Sequence, residues 1–495
     1  MSQINWKERA EHMNFNGQAF INGQRVDAVS GATFECISPC DGRKLADVAR
    51  CDKADVDAAV KVAREAFEDG RWAHMSPRKR KEILIRFADL IVQSKSELAL
   101  TETLDMGKPI SNALAVDVMG AQNTIRWFGE AIDKIYDEVA PTPRDSLALI
   151  TREPIGVVAA VVPWNYPLLM TSWKIAPALA VGNSVILKPS EKSPLTALRL
   201  AELALEAGIP AGVFNVVTGF GHEAGAALAE HMDVDCVAFT GSTAVGKRIM
   251  AAAANSNLKR AWMELGGKSP NIVFADCPDM DAAAAAAAGN VFYNQGESCN
   301  APTRLYVEAS IKDEFMKKVA AHVASFQPGD PLDPATTMGA IVDDIQLNNV
   351  LKYIESGKTE GAELIAGGQQ CRQESGGYFI EPTIFVTHKN HTIAREEIFG
   401  PVLSAMTFET EAEAIALAND SIYGLQAGVW TADISRAHRV ARALRAGTVH
   451  INQYNDDDIT VPFGGYKQSG NGRDKSLHSM DKYCELKTTW VKIDY

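Results

Sequence analysis

The sequence predicts an α/β protein built on two parallel sheets. From about residue 150, short β-branched runs alternate with longer Ala- and Leu-rich stretches of helical period, and turns containing Gly, Pro or Ser join them. The alternation starts a second time after Gly266. Because parallel strands need a crossover connection, usually a helix, two such runs predict two doubly wound parallel sheets.

The predicted elements follow from local patterns. Continuous apolar runs bounded by turn residues indicate buried strands, and a glycine after a helical repeat, such as Gly208, indicates a helix end. In the first run we predict strands at 155–163, 184–188, 213–217 and 236–240, and helices at 167–182 and 195–208. In the second we predict strands at 271–275 and 304–308, a helix at 281–289 and another from residue 311. Before residue 150 we predict helices at 54–68, 79–110 and 117–138 with few strands, whereas 146–154 and 484–495 alternate as strands outside the repeats.

Composition excludes several classes of protein. The 495 residues carry 62 acidic against 49 basic side chains, and a net charge of −13 argues against a nucleic-acid surface. The longest apolar run, at 155–164, is far shorter than the roughly 20 residues that span a bilayer. The first residues are charged almost from the start, unlike a secretory signal. We therefore predict a cytoplasmic globular protein.

The eight cysteines form neither a C-x-x-C pair nor a zinc-like cluster with histidine, which indicates a reducing compartment and no metal site. Cys236 sits among apolar residues, as an inert buried thiol does. Cys299 instead ends the small polar loop 294–299. It is therefore the best nucleophile candidate among the eight.

Three further features lie at the ends of predicted strands. Glycine turns at 219–225 and 241–246 would each place a helix N-terminus against a phosphate, although any strand-to-helix turn can need a glycine. Glu264 stands beside the Gly266–Gly267 pair, where the two α/β runs meet. Ligands often bind in clefts between domains, so this carboxylate is a second candidate for chemistry.

Seven motifs in sequence order carry a resemblance to a known family. They are PWNYP (163–167), KPSE (188–191), FTGSTAVG (239–246), MELGGKSP (263–270), FYNQGESC (292–299), EEIFGPV (396–402) and PFGGYKQSG (462–470). Through them the chain resembles the NAD(P)-dependent aldehyde dehydrogenase superfamily along nearly its whole length. The segment 460–478 is particularly similar to bacterial members of polyamine and arginine catabolism, which oxidise 4-guanidinobutyraldehyde or γ-glutamyl-γ-aminobutyraldehyde.

The resemblance implies a catalytic set of three residues. Cys299 would attack the aldehyde carbon, because a carbonyl without a leaving group must become a tetrahedral thiohemiacetal before hydride departs. The side chain of Asn165 and the backbone N–H of Cys299 would stabilise the oxyanion. After hydride transfer, Glu264 would activate water to hydrolyse the thioester.

The resemblance also implies a dinucleotide site. Lys188 and Glu191 match the positions that hold the adenosine ribose in this family. Ser242 matches the position that contacts the pyrophosphate, and Glu397 matches the position that holds the nicotinamide ribose. A carboxylate at Glu191 repels a 2′-phosphate, so NAD is the expected cofactor, while Lys188 would let NADP be tolerated. The other positions assigned to the cofactor are Trp164, Ser190, Gly221, Gly225, Phe239, Gly241, Gly246, Leu265 and Phe399.

The substrate tunnel of this family is walled by aromatic residues. The matching positions are Tyr166, Trp173, Tyr293 and Phe463. Next to them, Asp456, Asp457 and Asp458 match the segment that forms the tunnel mouth in this family. Three acids there would favour an aldehyde that carries a cation far from its carbonyl group, and the aromatic rings would add cation–π attraction for that cation. The alternative is that the acidic run is simply a solvated turn.

Two residues depart from the family pattern near the nucleophile. Glu297 replaces a more usual Gln, and Pro302 replaces a more usual Gly. A second acid near Cys299 is expected to raise the pKa of its thiol.

By resemblance, the chain has the aldehyde dehydrogenase fold: two doubly wound domains and a small β oligomerisation arm. We expect a cofactor domain at 1–138 and 154–266, a catalytic domain at 267–466, and an arm with a C-terminal strand at 139–153 and 467–495. The arm and last strand would be exchanged between subunits of a homodimer or homotetramer.

Four alternatives remain open at this stage. Betaine aldehyde or a range of aliphatic aldehydes would be other substrates. Coenzyme A rather than water would resolve the thioester in an acylating enzyme, but Glu264 favours hydrolysis. A catalytically silent structural protein would reuse the scaffold, but the intact Cys299, Glu264 and Asn165 argue against it.

Overall fold

A computed structural model describes residues 4–454 and 457–494. Its strands form two seven-stranded sheets, a three-stranded sheet and two small hairpins. The strands are β1 (Ala19–Ile21), β2 (Gln24–Val26), β3 (Thr33–Ile37), β4 (Lys44–Ala49), β5 (Glu138–Ala140), β6 (Ser146–Pro154), β7 (Val157–Val161), β8 (Ser184–Lys188), β9 (Phe214–Val216), β10 (Cys236–Thr240), β11 (Arg260–Glu264), β12 (Pro270–Val273), β13 (Arg304–Glu308), β14 (Glu363–Ala366), β15 (Gln370–Cys371), β16 (Phe379–Ile380), β17 (Thr383–Val386), β18 (Val402–Phe408), β19 (Gln426–Trp430), β20 (Thr448–Ile451) and β21 (Cys484–Lys492).

Helices connect the strands and cover the sheets. The α-helices are α1 (Trp6–Glu11), α2 (Lys53–Glu68), α3 (Pro77–Gln93), α4 (Lys95–Met106), α5 (Ile110–Asn112), α6 (Met119–Ala131), α7 (Pro167–Val181), α8 (Leu195–Ala207), α9 (Ala226–Glu230), α10 (Thr243–Asn255), α11 (Met280–Phe292), α12 (Lys312–Val323), α13 (Asp344–Thr359), α14 (Thr392–Arg395), α15 (Glu411–Asn419) and α16 (Ile434–Ala443). Shorter helical segments are π-helical at Ala113–Val118 and Gly221–Gly225, and 3₁₀ at Tyr293–Gly296, Ala309–Ile311, Gln373–Ser375, Lys467–Ser469 and Leu477–Tyr483. No helix in the described ranges is long and apolar enough to cross a bilayer.

The first seven-stranded sheet has the order β11-β10-β7-β8-β9-β1-β2. Its first five strands are parallel, and β1 and β2 complete one edge in antiparallel pairing. Val158 and Ala160 pack into one hydrophobic cluster, whereas Val157 and Ala159 pack into another on the opposite face. Both faces are therefore buried, which explains why these strands read as continuous apolar runs.

The second sheet repeats this design after Gly266. Its order is β14-β17-β18-β13-β12-β19-β20, and only β14 runs antiparallel to its neighbour. The Ala-rich helix α11 begins at the N-cap Asp279, whose side chain accepts from the N–H of Ala282. It packs against α12 over the sheet. The expected α/β fold with two wound parallel sheets is thus confirmed.

The last strand has a partner within the same chain. β21 pairs with β6 in antiparallel register from Cys484 opposite Pro154 to Lys492 opposite Ser146, and β5 pairs with the other edge of β6. The strand predicted at 146–154 has the bounds that β6 shows. Both strands predicted outside the repeats therefore lie in one small sheet.

The N-terminal part departs from the sequence prediction in three places. The helix predicted at 79–110 is two helices, because Ser94 ends α3 and begins α4. The helix predicted at 117–138 ends at Ala131, since the chain beyond it pairs with β6 as β5. The strands β1 to β4 were missed because each has only three to six residues, too few to show a period.

Candidate active site

The residues predicted to hold a dinucleotide lie along one edge of the first sheet. The segments 163–166, 188–191, 221–225, 241–246 and 264–267 follow β7, β8, β9, β10 and β11. These strands are parallel, so their carboxyl ends share one edge. From β7 the chain continues to β8 on one side of β7, while the later strand β10 lies on the other side. The strand order therefore reverses at β7, and open α/β sheets bind ligands at such a topological switch point.

A cavity of about 620 Å³ opens at this edge. Many of the predicted site residues line it: Asn165, Glu264 and Cys299 from the catalytic set; Trp164, Gly241, Ser242, Leu265, Glu397 and Phe399 from the cofactor set; and Tyr166, Trp173, Tyr293, Asp457 and Phe463 from the substrate set. The remaining cofactor candidates Lys188, Ser190, Glu191, Gly221, Gly225, Phe239 and Gly246 do not line it, although they lie in or after strands of the same sheet. Asp458 does not line it either, and Asp456 lies outside the described residues.

The loop before Cys299 has a strained backbone. Asn294, Gln295 and Gly296 follow one another with φ of 48°, 57° and 73°, in the left-handed region that costs non-glycine residues of order 1–3 kcal/mol each. Side-chain hydrogen bonds hold this conformation: Asn294 donates to the carbonyl of Asn165 at 3.1 Å, and Gln295 accepts from the N–H of Gly339 at 3.0 Å. The loop is thereby fixed with its cysteine at the cavity wall.

Asn165 connects the first sheet to the nucleophile loop. Its side chain is buried, and its Nδ2 donates to the carbonyl of Glu297 at 2.9 Å. A primary amide has two N–H donors, so a second N–H is available to a ligand beside Cys299. This arrangement suits a donor of an oxyanion hole.

The surroundings of Cys299 favour the neutral form of its thiol. Burial raises its pKa to about 12, and the carboxylates of Glu397 and Glu264 add to the rise. The sequence predicted that Glu297 would have this effect, and that prediction is wrong. The Glu297 carboxyl accepts from the N–H of Val342 at 3.1 Å, and burial raises its own pKa well above the usual value, whereas the acids that raise the pKa of Cys299 are Glu397 and Glu264.

Glu264 ends β11 with its carboxyl group inside the cavity. Neither carboxylate oxygen has a hydrogen-bond partner among the described residues. Burial raises the pKa of Glu264 well above its usual value; Asp474 adds to the rise, and Lys174 and Lys482 oppose it. A carboxylate with a raised pKa and free lone pairs suits a general base.

A buried ion cluster behind Glu264 was not found from the sequence. Asp474 accepts from Lys174 at 2.5 Å and from Lys482 at 2.5 Å, and all three side chains are almost fully buried. Lys174 and Asp474 are 300 positions apart in the sequence, so no local pattern links them. The signal available was the position of Asp474 four residues after the PFGGYKQSG motif.

The glycine pair after Glu264 is required by two close approaches. A Cβ on Gly266 would lie 1.9 Å from the carboxylate of Glu397, and one on Gly267 would lie 2.3 Å from the carbonyl oxygen of Cys299. The N–H of Gly267 also donates to Glu397 at 2.9 Å. Only glycine lets the chain pass between the nucleophile loop and this carboxylate.

Aromatic rings form the other end of the cavity. Trp173 and Phe463 pack with their ring centroids 5.1 Å apart. The hydroxyl of Tyr166 lies 2.7 Å from that of Ser298, next to the nucleophile, and the ammonium of the buried Lys108 lies 4.1 Å from the Tyr166 ring centroid. The tunnel wall is therefore tied to the Cys299 loop.

The two described acids near the mouth already have partners within the protein. Asp457 forms an ion pair with Lys475, a residue that the sequence did not single out. Asp458 accepts from the N–H of Thr460 at 2.8 Å and from its hydroxyl, as the acid of a solvated turn does. For Asp458, the turn interpretation fits better than a substrate role.

Comparisons with known proteins agree with this geometry. The model of the aldehyde dehydrogenase family matches residues 26–489. The chain belongs to the aldehyde dehydrogenase family. Among its relatives, the NADP/NAD-dependent aldehyde dehydrogenase PuuC of Escherichia coli is 55% identical over 490 residues, covering 99% of this chain and 98% of that protein.

Solved aldehyde dehydrogenases share the fold of this one closely. An indole-3-acetaldehyde dehydrogenase in complex with NAD⁺ is 61% identical, with a TM-score of 0.98 and coverage of 99% of both chains. The γ-glutamyl-γ-aminobutyraldehyde dehydrogenase of Burkholderia cenocepacia is 58% identical, with the same TM-score and coverage.

This aldehyde dehydrogenase offers a helix N-terminus beside its cavity. Ser242 caps the 13-residue helix α10, and its hydroxyl accepts from the N–H of Val245 at 3.3 Å. Beyond the cavity wall, Lys188 and Glu191 form an ion pair at 3.1 Å after β8. Within residues 4–454 and 457–494, no group of three or more His, Cys, Asp or Glu side chains could hold a metal ion.

Proposed function

We propose that the chain oxidises a small aldehyde to its carboxylic acid with NAD as hydride acceptor, through a thioester on Cys299. The observation that carries this proposal is that one cavity contains Cys299, Asn165 and Glu264, although they come from three separate segments of the chain. The cavity also reaches the carboxyl edge of the first sheet, where helix α10 begins.

The three side chains account for each bond change. After the thiol gives its proton to a solvent water molecule, the sulfur of Cys299 bonds to the aldehyde carbon, and the carbonyl electron pair moves to the oxygen beside Asn165. When the electron pair on this oxygen re-forms the carbonyl double bond, the aldehyde hydrogen leaves as hydride with its two electrons. A thioester then remains on Cys299. Glu264 then takes a proton from water, whose oxygen replaces the sulfur and releases the acid.

The residues present fit NAD. When bound, NAD supplies the electron-poor nicotinamide ring that takes the hydride. The carboxylates of Glu191 and Glu397 are acceptors suited to ribose hydroxyls, and the N-terminus of α10 suits a pyrophosphate. The Lys188 ammonium lowers the pKa of Glu191, which keeps this carboxylate charged and unfavourable to a 2′-phosphate.

Replacing Glu191 with serine is expected to shift cofactor use towards NADP. Removing one charge should raise the ratio of kcat/KM for NADP to that for NAD about tenfold, which corresponds to about 1.4 kcal/mol. Steady-state kinetics with both cofactors measure this ratio. The exposed Glu206 on α8 gives a matched control, Glu206→Ser, and an equal shift in both variants would remove Glu191 from the cofactor site.

For the substrate we propose an amino- or guanidinoalkyl aldehyde, as the name of the Burkholderia relative suggests. An arylacetaldehyde is the second candidate, because the indole-3-acetaldehyde dehydrogenase is 61% identical, against 58% for the Burkholderia relative, and aromatic rings line the tunnel. NADH formation is to be compared for 4-guanidinobutyraldehyde, γ-glutamyl-γ-aminobutyraldehyde, indole-3-acetaldehyde, betaine aldehyde and propionaldehyde. The highest kcat/KM with either of the first two supports the proposal. Preference for indole-3-acetaldehyde would replace the proposed substrate, and no NADH from any aldehyde would refute the activity.

We further propose a cytoplasmic homo-oligomer, with 1–138 and 154–266 as cofactor domain, 267–466 as catalytic domain, and the three-stranded sheet as assembly arm. Leu486, Trp490 and Val491 on β21 are exposed to 65%, 65% and 44%, which suits an interface. Light scattering is expected to give two or four times the chain mass of 53.5 kDa. A mass of one chain would contradict the arm.

A further inference from the structure

A buried lysine lies behind the mouth of the substrate tunnel. Lys475 lies in a charged segment of the sequence, where a surface position would be expected. Its side chain is nevertheless only 2% exposed. Lys475 and Ser476 have φ of 58° and 50°, so two successive residues adopt the left-handed backbone that non-glycine residues disfavour. This backbone turns the lysine inwards.

Hydrogen bonds on both sides of Lys475 fix its position. The preceding Asp474 exchanges two backbone hydrogen bonds with Phe463, at 2.8 and 2.7 Å. The following Ser476 donates its backbone N–H to Ile459 at 2.7 Å. The lysine therefore has a fixed position behind the residues that line the cavity.

The ammonium of Lys475 lies close to two aromatic rings that line the cavity. It lies 5.3 Å from the ring centroid of Trp173 and 5.8 Å from that of Phe463, within cation–π range of both. It also forms an ion pair with Asp457, whose side chain is 49% exposed and lines the cavity. One enzyme cation thus contacts the two rings and the acid that the sequence predicted for a substrate cation.

This arrangement changes the charge that an incoming substrate meets. An unpaired Asp457 would attract a cationic head group, and two free aromatic faces would add to that attraction. The Lys475 ammonium neutralises the attraction by Asp457 at short range. It also competes with the substrate cation for the faces of the two aromatic rings. At Asp457 the mouth therefore carries a dipolar ion pair instead of an isolated negative charge.

We propose that Lys475 is a specificity-determining residue, which neutralises Asp457 and thereby limits the preference of the enzyme for monocationic aldehydes over neutral ones. The inference rests on the proposed aldehyde oxidation at Cys299. Lys475 acts on the distal end of the substrate and takes no part in the bond changes.

The experiment measures one selectivity ratio: kcat/KM for 4-guanidinobutyraldehyde divided by kcat/KM for propionaldehyde. Lys475→Met keeps the length of the side chain and removes its charge, so the ratio should rise roughly 3- to 10-fold, as expected for one unit charge several Å away at intermediate dielectric. Asp457→Asn leaves Lys475 uncompensated, and the ratio should fall by a similar factor. The double variant should return it to within about twofold of wild type, since the two charge changes oppose each other.

Two further variants separate charge from structure. Lys475→Arg keeps the charge, and its ratio should stay within about twofold of wild type. Lys318→Met removes a half-buried lysine of α12, which pairs with Asp281 at 2.7 Å, and it should not move the ratio. A merely structural role of Lys475 would lower both kcat/KM values together and leave their ratio unchanged.

The results distinguish this inference from the proposed function. If wild type oxidises aldehydes but Lys475→Met and Asp457→Asn do not shift the ratio in opposite directions, Lys475 does not set specificity and the proposed function stands. If wild type oxidises no aldehyde, the proposed function itself fails. Should Lys475→Met not fold, Lys475→Gln also removes the charge while keeping a polar end, and an unchanged ratio in that variant would overturn the inference.

Discussion

Replacing Cys299 with alanine is expected to abolish NADH formation from every aldehyde. Among the described residues that line the cavity, Cys299 supplies the only thiol for the covalent adduct from which hydride leaves, so kcat should fall by about 10⁴-fold or more. The measurement is steady-state absorbance of NADH at high enzyme concentration. NAD⁺ binding, followed by calorimetry, should persist because the alanine leaves the edge of the first sheet unchanged.

Cys371→Ala provides the matched control. Cys371 is a free, partly buried thiol in the β15–β16 hairpin and does not line the cavity. Its variant should keep wild-type kcat. Activity of Cys299→Ala above about one part in 10³ of wild type would mean that hydride transfer does not need a thiohemiacetal, and the mechanism proposed above would be wrong.

Replacing Glu264 with glutamine is expected to separate the two halves of the reaction. Because water attacks only after hydride transfer, the first turnover should still release one NADH per active site in a rapid burst. The steady-state rate should then fall about 10²- to 10⁴-fold, the range expected for loss of a general base. Stopped-flow absorbance measures both phases in one trace.

The pH dependence tests the same role. A general base works when deprotonated, and the pKa of Glu264 is raised by burial, so the wild-type steady-state rate should fall as pH decreases through this raised pKa. The glutamine variant should lose that dependence, whereas the surface control Glu206→Gln should keep it. Loss of the burst in Glu264→Gln would show instead that Glu264 takes the proton from Cys299.

Much of the fold could be predicted because the sheets bury both faces. The predicted bounds of β6, β8, β10 and β13 agree with the structure, since β-branched runs between turn residues mark such strands clearly. Helix ends were predicted well where glycine follows, as at Gly182 and Gly208. The errors at 79–110 and 117–138 arise where tertiary pairing or a serine without a strong local signal ends a helix.

The site was predictable only where chemistry is local in sequence. Cys299 was recognised by its polar loop, and Glu264 by its glycine neighbours. Lys475 and Asp474 were missed because their partners lie far away in the chain and their burial cannot be read from a charged segment. The predicted effect of Glu297 was wrong for a related reason: sequence proximity to Cys299 did not show that its carboxyl group is directed to Val342.

The pairing of distant segments also bears on how the protein is made. The backbone N–H of Leu265 donates to the carbonyl of Ser469, and Gly470 pairs with Glu264 in an isolated β-bridge. The segment near residue 470 therefore completes the edge of a sheet whose last strand ends about 200 positions earlier in the sequence. During synthesis, the surroundings of Glu264, the proposed general base, are therefore complete only when almost the whole chain has been made. A nascent chain that stops before this segment would contain Cys299 and Glu264, yet it would lack Asp474 and Lys482 of the buried ion cluster and the last strand.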